Sequence, residues 1–194
     1  MNDAQRVILG IDPGTMILGY GVILADRRKV HYVDMGVVDL RKEKDHFAKL
    51  NTIFTEVSGI ISRYTPDDVA VEAPFYGKNP QVMLKLGRAQ GAAIAAAIAA
   101  NVPIFEYAPR KVKMAVTGQG AASKEQVALI LSRTLATELR PEFLDASDAL
   151  AIALCHFYQL VNPLADTETS TSWEKFLRSH PDRIRHGDGK LSRG

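Results

Sequence analysis

A single cysteine, Cys155, in 194 residues excludes an intramolecular disulfide, and its place in an apolar stretch makes it a buried small hydrophobe rather than a nucleophile. No apolar run approaches the ~20 residues needed to cross a bilayer. The longest such run, AAIAAAIAANV, is mostly alanine. The opening MNDAQR leads straight into a strand pattern, without the charged, apolar and small-residue succession of a secretion signal, so a cytoplasmic protein with no membrane contact is expected. An excess of one charge is lacking too. With 24 Lys and Arg against 22 Asp and Glu, the net charge of +2 does not announce a nucleic-acid binder, and any such case must rest on local clusters.

What is present is an apolar content of 46%, ample for one core in a chain of this length. One domain over 1–162 is expected, followed by a polar tail over 163–194 in which Pro, Gly and charge displace any apolar period. VILGID and LGYGVILAD read as strands joined by the turn PGT, and KVHYVDMGVVDL as a third strand completing a meander. Phe47, Leu50, Ile53, Phe54, Val57, Ile60, Ile61 and Tyr64 then recur at helical steps, until Thr65-Pro66-Asp67 stops the helix. DVAVEA is a short apolar strand, followed by an Ala-rich helix over Gln81–Ala100 and a strand in VPIFEYA. Two helices come next, in PRKVKMAVTG and SKEQVALILSRTL, and a last one over Asp145–Leu160. Three meander strands followed by strand and helix alternation predict an α/β fold, a mixed sheet with helices on both faces.

In such a sheet, reactive groups gather outside the carboxyl ends of the parallel strands. Asp12 ends the first strand and Glu72 the fourth, so the two should be neighbours. Asp145 and Asp148, three apart at the start of a helix, share one face. Two like charges ~4 Å apart cost roughly 4 kcal/mol at an effective dielectric of ~20, so gathered carboxylates call for a cation or a proton. Hard divalent ions with oxygen ligands suit them, and a pair of such ions can activate a water on one side of a phosphodiester and stabilise the leaving oxygen on the other. Taken singly, each acid has a plainer use. Asp12 before Pro-Gly can start a turn, Glu72 can pair with a buried base, and Asp145 and Asp148 can cap a helix and favour its dipole. Their joint topology carries the weight.

ILGIDPGTMILGYGVI, VAVEAPFYGKNPQVMLKLGRAQGAA, FEYAPRKVKMAVTGQGAASKEQV and DASDALAIALCH together resemble the RuvC Holliday-junction resolvases over residues 7 to 160, in order and without large gaps. The resemblance implies a ribonuclease-H-like fold with a five-stranded sheet of order 3-2-1-4-5, a homodimer, and magnesium-dependent paired nicks on opposed strands of a four-way DNA junction, leaving 5′-phosphate and 3′-hydroxyl ends. It maps the family's four acids onto Asp12, Glu72, Asp145 and Asp148, which would hold two Mg2+ per site, with Mn2+ as a substitute. It maps a base-stacking aromatic onto Phe75 and two lysines near the catalytic centre onto Lys113 and Lys124. Arg110 and Lys111 thicken the same positive patch, and Lys78 is a further candidate DNA contact. A branch-migration motor of RuvA and RuvB is the implied partner, and recombination and repair the implied setting. Gly87, Gly91 and the alanines of the second helix suit either close core packing or a twofold contact. Two rivals stand beside this reading. An actin-fold nucleotide-binding protein shares the GIDPGT hairpin but needs a second domain and a second phosphate loop. A noncatalytic junction-binding module would use the acids only as caps and turns.

Overall fold

In the computed structural model the described residues are 5–26, 29–73, 79–138 and 144–161, with the side chains of Leu144 and Asp145 excepted. The expected tail, 163–194, and the loop bearing Phe75 and Lys78 lie outside them. The strands are β1 (Arg6–Asp12), β2 (Ile17–Asp26), β3 (Lys29–Asp39), β4 (Asp68–Glu72) and β5 (Ile104–Tyr107). The helices are α1 (His46–Tyr64), α2 (Pro80–Ala99), α3 (Pro109–Thr117), α4 (Lys124–Leu135) and α5 (Leu144–Val161). The sheet order is β3-β2-β1-β4-β5, as the family resemblance implied. The meander β1-β2-β3 is antiparallel, whereas β4 runs parallel to both β1 and β5.

The period of two along each strand divides the core between the faces. Leu9, Ile11, Val22, Val69 and Val71 pack with α1 and α2, while Ile8, Ile23 and Ala70 pack with α3, α4 and α5. The α1 period needed one correction. Ile53, Val57, Ile60 and Ile61 are buried, but Phe47, counted on the same stripe, is 77% exposed in the first turn, and Phe54 lies one step around the helix from the fully buried Ile53. Asp45 caps α1 by accepting from the Ala48 N–H, and Thr65 ends it in the left-handed region just before Pro66. Twenty residues of mean hydropathy 1.3 make α2 long and apolar enough by composition to span a bilayer, yet Ala89, Ala93, Ala96 and Ala97 pack against the sheet and α1.

Helix α5 lies directly on β1 and β2 because two glycines face it. Gly10 and Gly21 are cross-strand partners, and a Cβ on Gly10 would sit 2.0 Å from the Ala149 carbonyl oxygen, one on Gly21 2.7 Å from the Leu150 nitrogen. Burial of Leu150, Ile152 and Leu154, at ~1.5–3 kcal/mol each, drives the contact. Further along, buried His156 has its Nδ1 2.7 Å from the Tyr107 hydroxyl and its Nε2 3.3 Å from Asp68 Oδ2, while Asp68 Oδ1 accepts from Arg6. The helix is thereby seated at its start by the absence of side chains below it and further along by polar contacts. Cys155 is buried, as its apolar surroundings predict.

Candidate active site

Strand parity decides where the acids point. Asp12 follows Ile8 and Gly10 on the α5 side of β1, and Glu72 follows Ala70 on the same side of β4. Ile11 pairs with Val71, so Asp12 and Glu72 stand side by side one residue further on, at the carboxyl ends of adjacent strands about 4.8 Å apart. Pro13 ends β1 by removing a ladder donor, and Gly14 lets the chain fold back tightly, since a Cβ there would lie 1.8 Å from the Ile17 oxygen. The first turns of α5 bring Asp148 over both carboxylates.

Asp12, Glu72 and Asp148 line one cleft of about 240 Å³ together with Lys113, Lys124, Pro109, Val112, Val127, Ala151 and Ile152. Burial, and then the charges of Glu72 and Asp148, push the Asp12 carboxyl up to about 8. Burial and the Asp148 charge raise Glu72 as well, partly opposed by a side-chain hydrogen bond with Asp12. Asp148 is held by Lys124, whose Nζ is 2.6 Å from its Oδ2. Among the described residues no three His, Cys, Asp or Glu side chains are drawn closely enough to ligate one ion as they stand. The side chain of Asp145, the fourth acid, is outside the described residues, and the three acids that are described crowd like charges into one cleft where only Lys124 and Lys113 oppose them. Gathered carboxylates call for an offsetting cation, so this all-oxygen donor set fits a hard metal.

Asp145 lies within α5, one residue past its first residue, so it is in the first turn rather than capping it; its side chain is outside the described residues. Lys113 and Lys124 reach the cleft from α3 and from the start of α4, where Ser123 and Gln126 form a capping box. Arg110 and Lys111 do not line it. The Arg110 side chain lies against Gly120 in the joint between α3 and α4, and the Lys111 Nζ sits 5.4 Å from the centre of the Tyr107 ring. Sequence reasoning passed over Gln90. It is buried among the alanines of α2, and its Nε2 donates to the Glu72 carbonyl oxygen at 3.0 Å and to Glu106 at 2.7 Å. A lone amide on an otherwise alanine stripe, at Ala89, Gln90, Ala93, Ala96 and Ala97, was the available signal.

The chain matches the family model described as crossover junction endodeoxyribonuclease RuvC over residues 8–156. A protein of that name from Cytophaga hutchinsonii is 49% identical over 190 residues, 97% of this chain and 93% of the relative. Its counterpart from Bacteroides fragilis is 51% identical over 183 residues, 93% of this chain and 97% of the relative. Among solved structures, the Thermus thermophilus RuvC in complex with Holliday junction substrate superposes with a TM-score of 0.75 at 35% identity, covering 81% of this chain and 96% of that one. The yeast mitochondrial Holliday junction resolvase, at 16% identity and a TM-score of 0.61, shares the fold.

Proposed function

The chain belongs to the RuvC family of crossover junction endodeoxyribonucleases, and from that premise we propose that it resolves four-way DNA junctions by paired nicks on opposed strands in recombination and repair. The observation that carries the reading is the convergence of Asp12, Glu72 and Asp148, from three separate elements, in one cleft edged by Lys113 and Lys124. Asp12, Glu72, Asp145 and Asp148 hold the metal, two Mg2+ per site with Mn2+ as a substitute. Bound there, the ions supply activation of a water and stabilisation of the leaving oxygen. The water oxygen forms a bond to phosphorus as the bond from phosphorus to the sugar 3′ oxygen breaks, which leaves a 5′-phosphate and a 3′-hydroxyl. Both side chains of the Lys124 and Asp148 pair are partly exposed, so the pair is worth only ~0–1 kcal/mol. Lys124 can therefore leave Asp148 for the scissile phosphate at little cost, and with Lys113 it neutralises charge that grows during cleavage. Phe75 stacks on bases at the crossover, while Arg110, Lys111 and Lys78 follow the DNA backbone.

Two opposed strands require two sites, hence a homodimer. The outward face of α2 suits it. Leu84, Gly91 and Ile98 recur every seven residues with Gly87 and Ala95 between them; Leu84 and Ile98 are 58% and 62% exposed, and both glycines have open space beside them. Gly91→Glu is therefore tolerated by the protomer but buries charge in the dimer, and is expected to shift the mass measured by light scattering to that of one chain while uncoupling the paired nicks. An unchanged dimer mass would remove α2 from the contact. A branch-migration motor of RuvA and RuvB and a cytoplasmic setting accompany this reading.

The function is tested with a labelled synthetic four-way junction and a matching linear duplex. Symmetric nicks confined to the junction, present with magnesium and absent with chelator, are the expected outcome. Tight binding without cutting would leave only a binding module, and equal cutting of the duplex would end the claim of structure specificity.

A further inference from the structure

We propose that Gln90 is a positioning residue for Glu72, locking the peptide group that follows the acid so that its carboxylate stands at the height cleavage needs; the inference rests on the nuclease reading above. The peptide between Glu72 and Ala73 is tied at both ends. Its N–H donates to the Tyr107 carbonyl at 2.9 Å, extending the ladder between β4 and β5 past the last strand residue. Its C=O accepts from Gln90 Nε2 at 3.0 Å. Neighbouring β1 has by then reached Pro13, which has no backbone N–H to give. Glu106 takes the other amide proton at 2.7 Å, and because both partners are acceptors the amide can face them only with its nitrogen.

Gln90 lies on the α2 side of the sheet and does not line the catalytic cleft, so it acts through the backbone. With the plane of that peptide held, ψ of Glu72 is held, and with it the direction in which the side chain leaves toward Asp12 on the opposite face. Gln90 is 5% exposed, so removing its donor takes away the buried partner of the Glu72 carbonyl and frees the peptide to turn toward another. A misplacement of about 1 Å at a reacting centre costs on the order of a hundredfold in rate.

The test uses the full-length protein. Gln90→Met, of similar volume and without the amide, is expected to lower kcat about tenfold to a hundredfold. Junction affinity measured in chelator stays unchanged, and the rise in melting temperature on adding Mg2+ shrinks. Gln90→Glu sets two carboxylates against each other and loses stability, which adding Glu106→Gln restores by supplying a new donor to the introduced carboxylate. Stability recovering in that double variant while kcat stays low supports positioning of Glu72, whereas kcat recovering along with stability shows a packing role and overturns it. A Gln90→Met protein that cleaves at the wild-type rate with the full Mg2+-induced shift overturns it equally. If the wild-type protein itself shows neither cleavage nor a shift, the nuclease reading fails first, and the two failures are told apart.

Discussion

Asp12→Asn is expected to abolish junction cleavage while leaving junction binding intact. The acid stands at the end of β1 beside Glu72 and below Asp148, and a divalent cation held there as proposed would supply several kcal/mol of charge stabilisation to the transition state. Losing about 4 kcal/mol corresponds to roughly a thousandfold in rate. Binding rests instead on lysines and backbone phosphates, and removal of one negative charge from the cleft does not weaken it. Gel-shift affinity in chelator and single-turnover cleavage with magnesium, measured on the same preparation, separate the two. Cleavage that survives in the variant would return Asp12 to the plainer role of starting the Pro13-Gly14 turn.

The same variant carries a pH signature. Burial and neighbouring charge push the Asp12 carboxyl up to about 8 in the folded chain, against 3.8 as its ordinary value. A carboxyl raised on folding contributes stability that is fully present below its unfolded value and is lost as pH rises through the folded one. In chelator, the wild-type melting temperature should therefore fall as pH is raised from about 4 to about 8. Asn is a neutral stand-in for the protonated acid and still has a donor for Glu72. The variant should fall less across that window, keeping only the contribution of raised Glu72, and exceed the wild type at its upper end by on the order of 10 °C, since about four pKa units at about 1.4 kcal/mol each shift a domain of this size by a few degrees per kcal/mol. Parallel wild-type and variant curves would mean that Asp12 is ionised in the folded chain without strain.

The strands could be read from the sequence because each is an apolar run ended by punctuation; their succession pointed to a mixed sheet, and the family resemblance supplied its order. Asp12 and Glu72 were legible for the same reason, since each is a charge at the tip of an apolar strand. Contacts set only in three dimensions were not. The pairing of Lys124 with Asp148 joins the start of α4 to the start of α5, and 23 intervening positions say nothing of it. Gln90 looks like one more polar residue in a helix until β4 is placed beneath it. Phe47 and Phe54 were misassigned because helical spacing gives a stripe's direction but not its width. Gly10 and Gly21 were passed over inside their strands, and their use appeared only with α5 above them.

Those two glycines make the second large effect. Gly10→Val is expected to cost the protein both stability and nearly all cleavage. A Cβ at Gly10 would lie 2.0 Å from the Ala149 oxygen, 2.8 Å from the Ala153 nitrogen and 3.0 Å from the Ala153 Cβ. The first two are backbone atoms of one helix, so no rotamer relieves them, and α5 must lift. Overpacking of this kind costs typically ~1–3 kcal/mol and more where backbone must move. The catalytic cost is larger than the stability cost suggests. Asp148 precedes Ala149 on the lifted turn, so a shift of about 1 Å there carries its carboxylate away from Asp12 and Glu72 with a loss on the order of a hundredfold. Gly59, which has open space on α1, is the internal control: Gly59→Ala should leave cleavage unchanged and, as an exposed helix position gaining propensity, hold or raise the melting temperature. Circular dichroism melts alongside single-turnover cleavage on Gly10→Val, Gly10→Ala and Gly59→Ala give the comparison. A Gly10→Ala protein that folds at the wild-type temperature and cuts at the wild-type rate would show that α5 is free to ride above β1, and that the seating of Asp148 does not depend on the glycine floor.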